Sequence, residues 1–423
     1  MRNLLLFVFI FSIAFINAQN QTKDSLRTDS LIIRSYPVII VDSPNAFYTM
    51  EQFNQDYLSG YRYFSIESMK KFGSKHTRLI QLFSSLVTIP LTHEEGHRSI
   101  LTSQSIGAIS RPIINSKGAA YVMGVSDSTL ITLRQNDLPT YIRLHTAGLE
   151  SDYMMLRKMD DLIIFGQESK NLLEIEYLFR QLSLLSYYGL SPFPKLNPKL
   201  AEEDNELNRD IVGHDVYGTV KNLFRPNETF YRYTDYDDLT TGERKFVTRT
   251  AVRSLLNIAS PVFFKPLNII QKENLKLSIG TGYTMAPFGD FIDMNFWMQI
   301  NKKYNFKLYL REYENRDTWF LGGGIGLVDY KIIPNVQTSI TGHFWNQPEN
   351  FDFNTSKGQL GGAGEIFFKY NLIRMNSGNS MSVDLGLNYK TKGFLPEEVV
   401  MDKHLGVRLG VTFNIAHKMM IIK

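Results

Sequence analysis

The residues best suited to chemistry stand together in one short segment, His93-Glu94-Glu95-Gly96-His97. Residues four apart lie one above the other on a helix, so both imidazoles can bind one Zn²⁺ at about 2.0 to 2.1 Å, with Glu94 directed at a water molecule in the open position. The chain contains no cysteine, so any metal must be held by His, Asp and Glu. The segment therefore predicts a metal centre on a helix.

This segment resembles the HExxH motif of the zinc metallopeptidases known as zincins. The resemblance covers these residues and, at most, a second helix that supplies another ligand. It implies a zinc-dependent hydrolase that acts on a peptide or protein, with His93 and His97 as metal ligands and Glu94 as the catalytic base. An ester or another amide stays open as the substrate. The alternative is a hydrogen-bonded helix surface on which the motif arises by chance.

Two histidines leave a zinc ion short of ligands. The histidine that metzincins carry six residues further on is absent, because Ser103 stands there. The resemblance to gluzincins, which take a glutamate from a second helix, points to Glu150 as the third metal ligand. Asp152 and His145, seven residues apart on one helical face, remain open for the same role, for support of the ligands or for stabilisation of the transition state. For Glu150 and Asp152, the ordinary alternative is helix capping or exposure to solvent.

A further candidate is His214, which precedes Asp215 in the sequence. A histidine beside an acid, with Tyr217 three residues further on, suits the stabilisation of an oxyanion, so we predict His214 as a catalytic residue. The competing interpretation is a helix start, with Asp215 near the free amide groups at its amino end.

The region that must position these residues has helical periodicity. One apolar helix face, leading to Pro90, is formed by Leu79, Leu82, Phe83, Leu86 and Val87. Two more helices are predicted, one from about Asp137 through Met159 and one over 171–188. A proline-rich and then acidic loop follows at 191–210. We predict a mainly helical, zincin-like domain over residues 51–265.

From Leu275 onward the apolar period changes to two, as in β-strands. About eight such segments predict an antiparallel β-barrel over 270–418, and the fold class is therefore α+β. Soluble barrels and outer-membrane barrels share this alternation. Charged residues on the polar face, aromatic residues near strand ends, and the resemblance of 408–415 to the last strand of outer-membrane barrels favour the membrane form. A soluble sandwich or barrel is the alternative.

The first residues have the composition of a secretory signal peptide. Arg2 precedes an apolar run at 4–16 that is too short to cross a bilayer, and polar residues follow from Gln19. We predict a signal peptide over 1–18 and a tether over 19–50 that can pair at one edge of the sheet. An uncleaved anchor is the alternative to the cleaved signal.

Composition and motifs together narrow the class of protein. Lys and Arg number 46 against 42 acidic residues, and no basic run concentrates the net charge of +4, so nucleic-acid binding is not supported. The sequence predicts a zinc-dependent hydrolase, in first place a peptidase, of the bacterial cell envelope, in the outer membrane with a periplasmic domain or as a soluble secreted or periplasmic enzyme. The rival is a non-enzymatic outer-membrane barrel with a helical periplasmic plug or partner-binding domain.

Overall fold

The structure of the protein is a computed structural model, which describes residues 31–44, 48–113, 120–197, 202–375 and 378–418. The predicted signal peptide over 1–18 and the start of the predicted tether lie outside these residues. The described part of the tether contains the first strand, β1 (Leu31–Asp42), which pairs at one end of the main sheet.

Helices dominate the first half of the chain. They are α1 (Met50–Ser103), α2 (Asp127–Asn136), α3 (Leu138–Ile164), α4 (Lys170–Leu190), α5 (Asp215–Phe224) and α6 (Thr241–Ser254). Side-chain caps explain four of the starts: Thr49, Ser126, Asp137 and Thr240 each accept from a backbone amide in the first turn of α1, α2, α3 and α6. Helix α1 is kinked at Gly73, which has a φ of 74°, a value that glycine tolerates.

The apolar stripe predicted before Pro90 lies within α1, which continues through that proline. Four of its five side chains point away from the protein, with Leu79 and Phe83 51% and 61% exposed, whereas Leu82 is partly buried against the core. The buried side of this part of α1 is polar, and there Gln81 donates to the Leu172 carbonyl of α4. Hydrogen bonds as well as apolar contacts therefore join these two helices.

The second half forms most of an antiparallel sheet of ten strands. Its strands are β4 (Ile270–Gln271), β5 (Leu275–Ala286), β6 (Gly289–Ile300), β7 (Tyr304–Glu314), β8 (Trp319–Ile333), β9 (Val336–Pro348), β10 (Gly358–Arg374), β11 (Ser380–Lys390) and β12 (His404–Lys418). Each pairs with its neighbour in the chain, and β1 pairs with β12. A small hairpin of β2 (Ile109–Arg111) and β3 (Tyr121–Met123) lies apart. The expected α+β architecture is confirmed.

The expected closure of the strands into a barrel is wrong. Among the described strands, β1 and β4 are the two ends of the sheet and do not pair with each other. Helix α1 binds the free edge of β1, where Asp56 accepts from the Ile39 amide. At the other end, the Asn257 side chain binds both backbone groups of Tyr283 in β5. These contacts occupy positions that a closing strand would need.

The two faces of the sheet differ in chemistry. The face toward the helices carries buried charged side chains such as Asp293, which pairs with Arg311 at 2.6 Å and accepts from the Tyr153 hydroxyl of α3. The opposite face is apolar and exposed. Polar side chains therefore meet α3 on the inside of the sheet. Within the described ranges, no helix is long and apolar enough to cross a membrane.

Candidate metal centre

His93 and His97 of α1 face Asp215, the first residue of α5. The Asp215 Oδ2 atom lies 3.1 Å from His93 Nε2 and 3.4 Å from His97 Nε2. One ligand atom from each of the three residues lies within 4.8 Å of the other two. His97 and Asp215 are buried, and His93 is partly buried. Two imidazoles and one carboxylate in this arrangement could hold a metal ion.

Asp215 Oδ2 has the surroundings expected of a metal ligand. It is buried and, within the described part of the chain, has no aligned hydrogen-bond donor, although both imidazoles are at ion-pair distance. A buried carboxylate oxygen without such a bond is costly unless a cation satisfies it. The donor set therefore fits a divalent ion.

The other ring nitrogens fix the direction of both imidazoles. His97 Nδ1 donates to the Leu144 carbonyl at 2.6 Å, and His93 Nδ1 donates to Asp152 Oδ2 at 2.8 Å. Because these acceptors keep a proton on Nδ1, each Nε2 can offer its lone pair to a metal. Asp152, which the sequence left open as a ligand or a support, is therefore placed as a support.

A buried cation holds Asp152 in place. Arg180 of α4 donates to Asp152 at 2.5 Å, to the Thr92 hydroxyl at 2.7 Å and to Glu176 at 2.6 Å. All four side chains are buried, so the ion pair is little screened by water. Arg180 thereby positions His93 through Asp152.

Two glycines allow α1 and α3 to approach closely at the centre. A side chain at Gly148 would collide with Nε2 of both His93 and His97. A side chain at Gly96 would meet the Ala147 carbonyl oxygen at 2.5 Å. The centre therefore requires that Gly148 carry no side chain.

The charges of the three candidate ligands act on one another. Burial lowers the pKa of His93, but the hydrogen bond to Asp152 and the nearby carboxylate of Asp215 raise it well above its usual value overall. Burial also lowers the pKa of His97, and the charge of Asp215 raises it overall. Burial raises the pKa of Asp215, whereas both histidines lower it overall. The centre thus favours a carboxylate anion beside positive charge, which is what a bound cation would supply.

Glu94 is buried beside this group. Burial raises its pKa to about 7, against the lowering effect of the charges on His93 and His97. Burial and then the charge of Glu94 raise the pKa of Asp210 well above its usual value. A carboxyl group with a pKa near 7 can accept and return a proton near neutral pH. A bound cation would lower this pKa, because it stabilises the carboxylate.

Glu150 lies outside the group, which corrects the third ligand expected from the sequence. Its buried carboxylate pairs with Arg143 at 2.6 Å. Helix geometry gives the reason: Gly148 faces the imidazoles, and a residue two positions further on is turned by about 200°. Asp152, four positions after Gly148, returns to the face that contacts His93. Asp215 supplies the carboxylate instead.

The structure places His214 at the start of α5, where it precedes Asp215 as the N-cap residue. The helix start considered as the alternative is therefore confirmed. Its ring stacks on Tyr217 with 3.7 Å between centroids, and burial lowers its pKa to about 4. A catalytic role for this neutral imidazole stays a prediction. His145 packs against Gly218 of α5, and burial lowers its pKa to about 3.

The sequence did not predict that Asp215 is a candidate ligand or that Tyr187 lies beside it. The Tyr187 ring stacks on His93, and its hydroxyl accepts from the Asp215 amide at 3.1 Å. An acid in the first turn of a helix is ordinarily a partner of the helix dipole, so Asp215 gives no distinct signal. Gly148 offers a better one, since a glycine inside a helix costs about 1 kcal/mol and calls for a packing reason.

Comparison with protein-family models, with curated proteins and with solved structures finds no match to this chain. A functional assignment therefore depends on the geometry of the metal centre and on the motif that forms it.

Proposed function

We propose that this protein is a zinc-dependent hydrolase with a peptide or protein as its substrate. One observation carries the proposal: His93, His97 and Asp215 bring three ligand atoms within 4.8 Å of one another, beside the buried carboxyl of Glu94. Two imidazoles and one carboxylate are a ligand set of catalytic zinc sites, which keep a fourth position open. Zinc held there supplies Lewis-acid activation of a carbonyl group and of water.

Glu94 is the proposed base. Its carboxylate would accept a proton from the attacking water and return it to the leaving amine. Asp152 and Arg180 hold the His93 ring, and the Leu144 carbonyl holds that of His97. His214, beside Asp215, is the proposed hydrogen-bond donor to the developing oxyanion.

The substrate class and the location are parts of the same proposal. A peptide substrate follows from the resemblance to zincins, and an ester or another amide would use the same residues. Action outside the cytoplasm follows from the composition of residues 1–18.

The zinc content of the purified full-length chain, measured by inductively coupled plasma mass spectrometry with peptide cleavage in parallel, tests the proposal. We expect about one zinc ion per chain, lost in His97→Ala. Glu94→Gln should retain zinc and lose at least about 100-fold in turnover. His76→Ala, an exposed histidine on the same helix, is the matched control and should change neither. Zinc retained by His97→Ala, or cleavage unchanged by Glu94→Gln, would overturn the proposal.

A further inference from the structure

The sheet carries an apolar surface on the side that points away from the helices, across β6 to β12. We call this surface the outer face. Its side chains lie side by side, as in the row Phe368, Leu385 and Leu409. In β6, β11 and β12 the outward positions are Ile292, Met294, Phe296, Met298 and Ile300, then Met381, Val383, Leu385, Leu387 and Tyr389, then Leu405, Val407, Leu409, Val411 and Phe413.

The outer face reverses the usual arrangement of a sheet in water. A half-exposed antiparallel sheet normally packs its apolar face on the core and leaves its polar face in solvent. Here the polar residues Asp293, Asp384 and Arg408 are buried inside, while Leu385 and Leu405 are 41% and 69% exposed. Water is therefore an unsuitable environment for this surface.

The outer face is also large. Ile292 and Ile300 are separated by about 26 Å along β6 at ~3.3 Å per residue. With strands about 4.8 Å apart, β6 to β12 present on the order of 900 Å². The largest apolar patch of an ordinary monomer is roughly 300 to 600 Å². Something apolar must cover this face.

The sheet curves so that the outer face is convex. Its inner side surrounds a cavity of about 510 Å³ that is lined by residues from β1 and from every strand between β6 and β12. Two convex surfaces touch only along a narrow strip, so a second copy of the chain would leave much of each face exposed. Flexible hydrocarbon chains can cover a convex surface completely.

The ends of the outer face carry the residues that suit a membrane interface. Tyr304 and Tyr330 stack at one end, with Lys303 within 5.1 Å of the Tyr304 ring centroid. At the other end Trp319 is 65% exposed, and the charged Glu312 lies on the neighbouring strand. Aromatic residues at both ends, flanked by the charged side chains of Lys303 and Glu312, fit the headgroup regions on either side of a hydrocarbon layer.

We propose that the outer face lies against the acyl chains of a lipid bilayer. Its height of about 26 Å matches the ~25 Å apolar band of outer-membrane proteins, although this sheet is not a closed barrel. The proposal goes beyond the hydrolase assignment and does not depend on the metal centre.

Because the chain lacks cysteine, a single introduced cysteine can report on the outer face. Leu385→Cys in the full-length chain, labelled with a polarity-sensitive fluorophore, should show a blue-shifted emission with vesicles of phosphatidylethanolamine and phosphatidylglycerol. Brominated acyl chains in the same vesicles should quench it. Lys245→Cys, at an exposed position of α6, is the control and should show neither effect.

The unmutated protein provides a second readout. Of its three tryptophans, Trp297 and Trp345 are buried and Trp319 lies on the outer face, so brominated lipids should reduce emission through Trp319 alone. Trp319→Phe should abolish that loss. An unquenched label at position 385 with unquenched Trp319 would overturn the proposal, whether the protein is a monomer in water or a dimer of twice the mass by light scattering.

Discussion

Replacing Gly148 by alanine tests whether the close approach of α3 sets the geometry of the metal centre. The added Cβ would lie 2.5 Å from His97 Nε2, whereas ordinary contact begins at 3.4 Å, so one group must move by about 0.9 Å (3.4 minus 2.5). His93 Nε2 is closer still. Binding constellations need their ligands within about 0.5 Å of the productive positions. We therefore expect Gly148→Ala to weaken zinc binding by at least about 10- to 100-fold.

The free energy of unfolding should fall by at most about 3 kcal/mol, so the variant should stay folded while its zinc affinity is measured. Overpacking costs about 1 to 3 kcal/mol, and the better helix propensity of alanine offsets up to about 1 kcal/mol of it. Zinc affinity is measured by competition with a chromophoric chelator, and the free energy of unfolding of the zinc-free protein by urea denaturation. Gly60→Ala in α1 is the control, because no atom lies within 4 Å of its added Cβ. Equal zinc affinity in Gly148→Ala and Gly60→Ala would refute the argument.

Three other substitutions extend the test. Asp152→Asn should weaken zinc binding about 10- to 100-fold, because His93 Nδ1 loses a charged acceptor; an unchanged affinity in the chelator assay would show that Asp152 does not support the site. His145→Gln probes pH dependence: the folded-state pKa of about 3 lies below the unfolded value of about 6.5, so the unfolded chain binds more protons and acid destabilises the fold. Between pH 7 and pH 5 the wild type should lose about 2 kcal/mol more than His145→Gln in urea unfolding, and parallel pH profiles would contradict this. Arg180→Met should lower the free energy of unfolding by about 3 to 5 kcal/mol, because Glu176 is left buried without a cation and Asp152 keeps only His93 as a partner; a small loss would mean that water reaches them.

The strands could be predicted well from the sequence because each side of the sheet has its own chemistry. Alternation over 291–300 and 405–415 corresponds to β6 and β12. Whether the sheet closes into a barrel depends on residues outside those strands, and these could not be recognised from the pattern. Asp56 and Asn257 satisfy backbone groups at the two free edges, and neither carries a periodic signal.

The metal centre was predictable only in part, for a similar reason. His93 and His97 follow from helical spacing, which is local. The third candidate ligand depends on which face of α3 meets α1 and on where a separate helix begins. Because Gly148 faces the two imidazoles, Glu150 points away from them, and Asp215 at the start of α5 lies beside them.

The zinc content of two matched carboxylate variants tests the central claim most directly. Asp215→Asn removes the charge of the candidate ligand. Glu150→Gln removes the charge of an equally buried acid, which pairs with Arg143. In full-length protein dialysed against excess zinc and then washed, we expect about one zinc ion per chain in Glu150→Gln and a much lower content in Asp215→Asn. Zinc retained by Asp215→Asn and lost by Glu150→Gln would contradict this expectation.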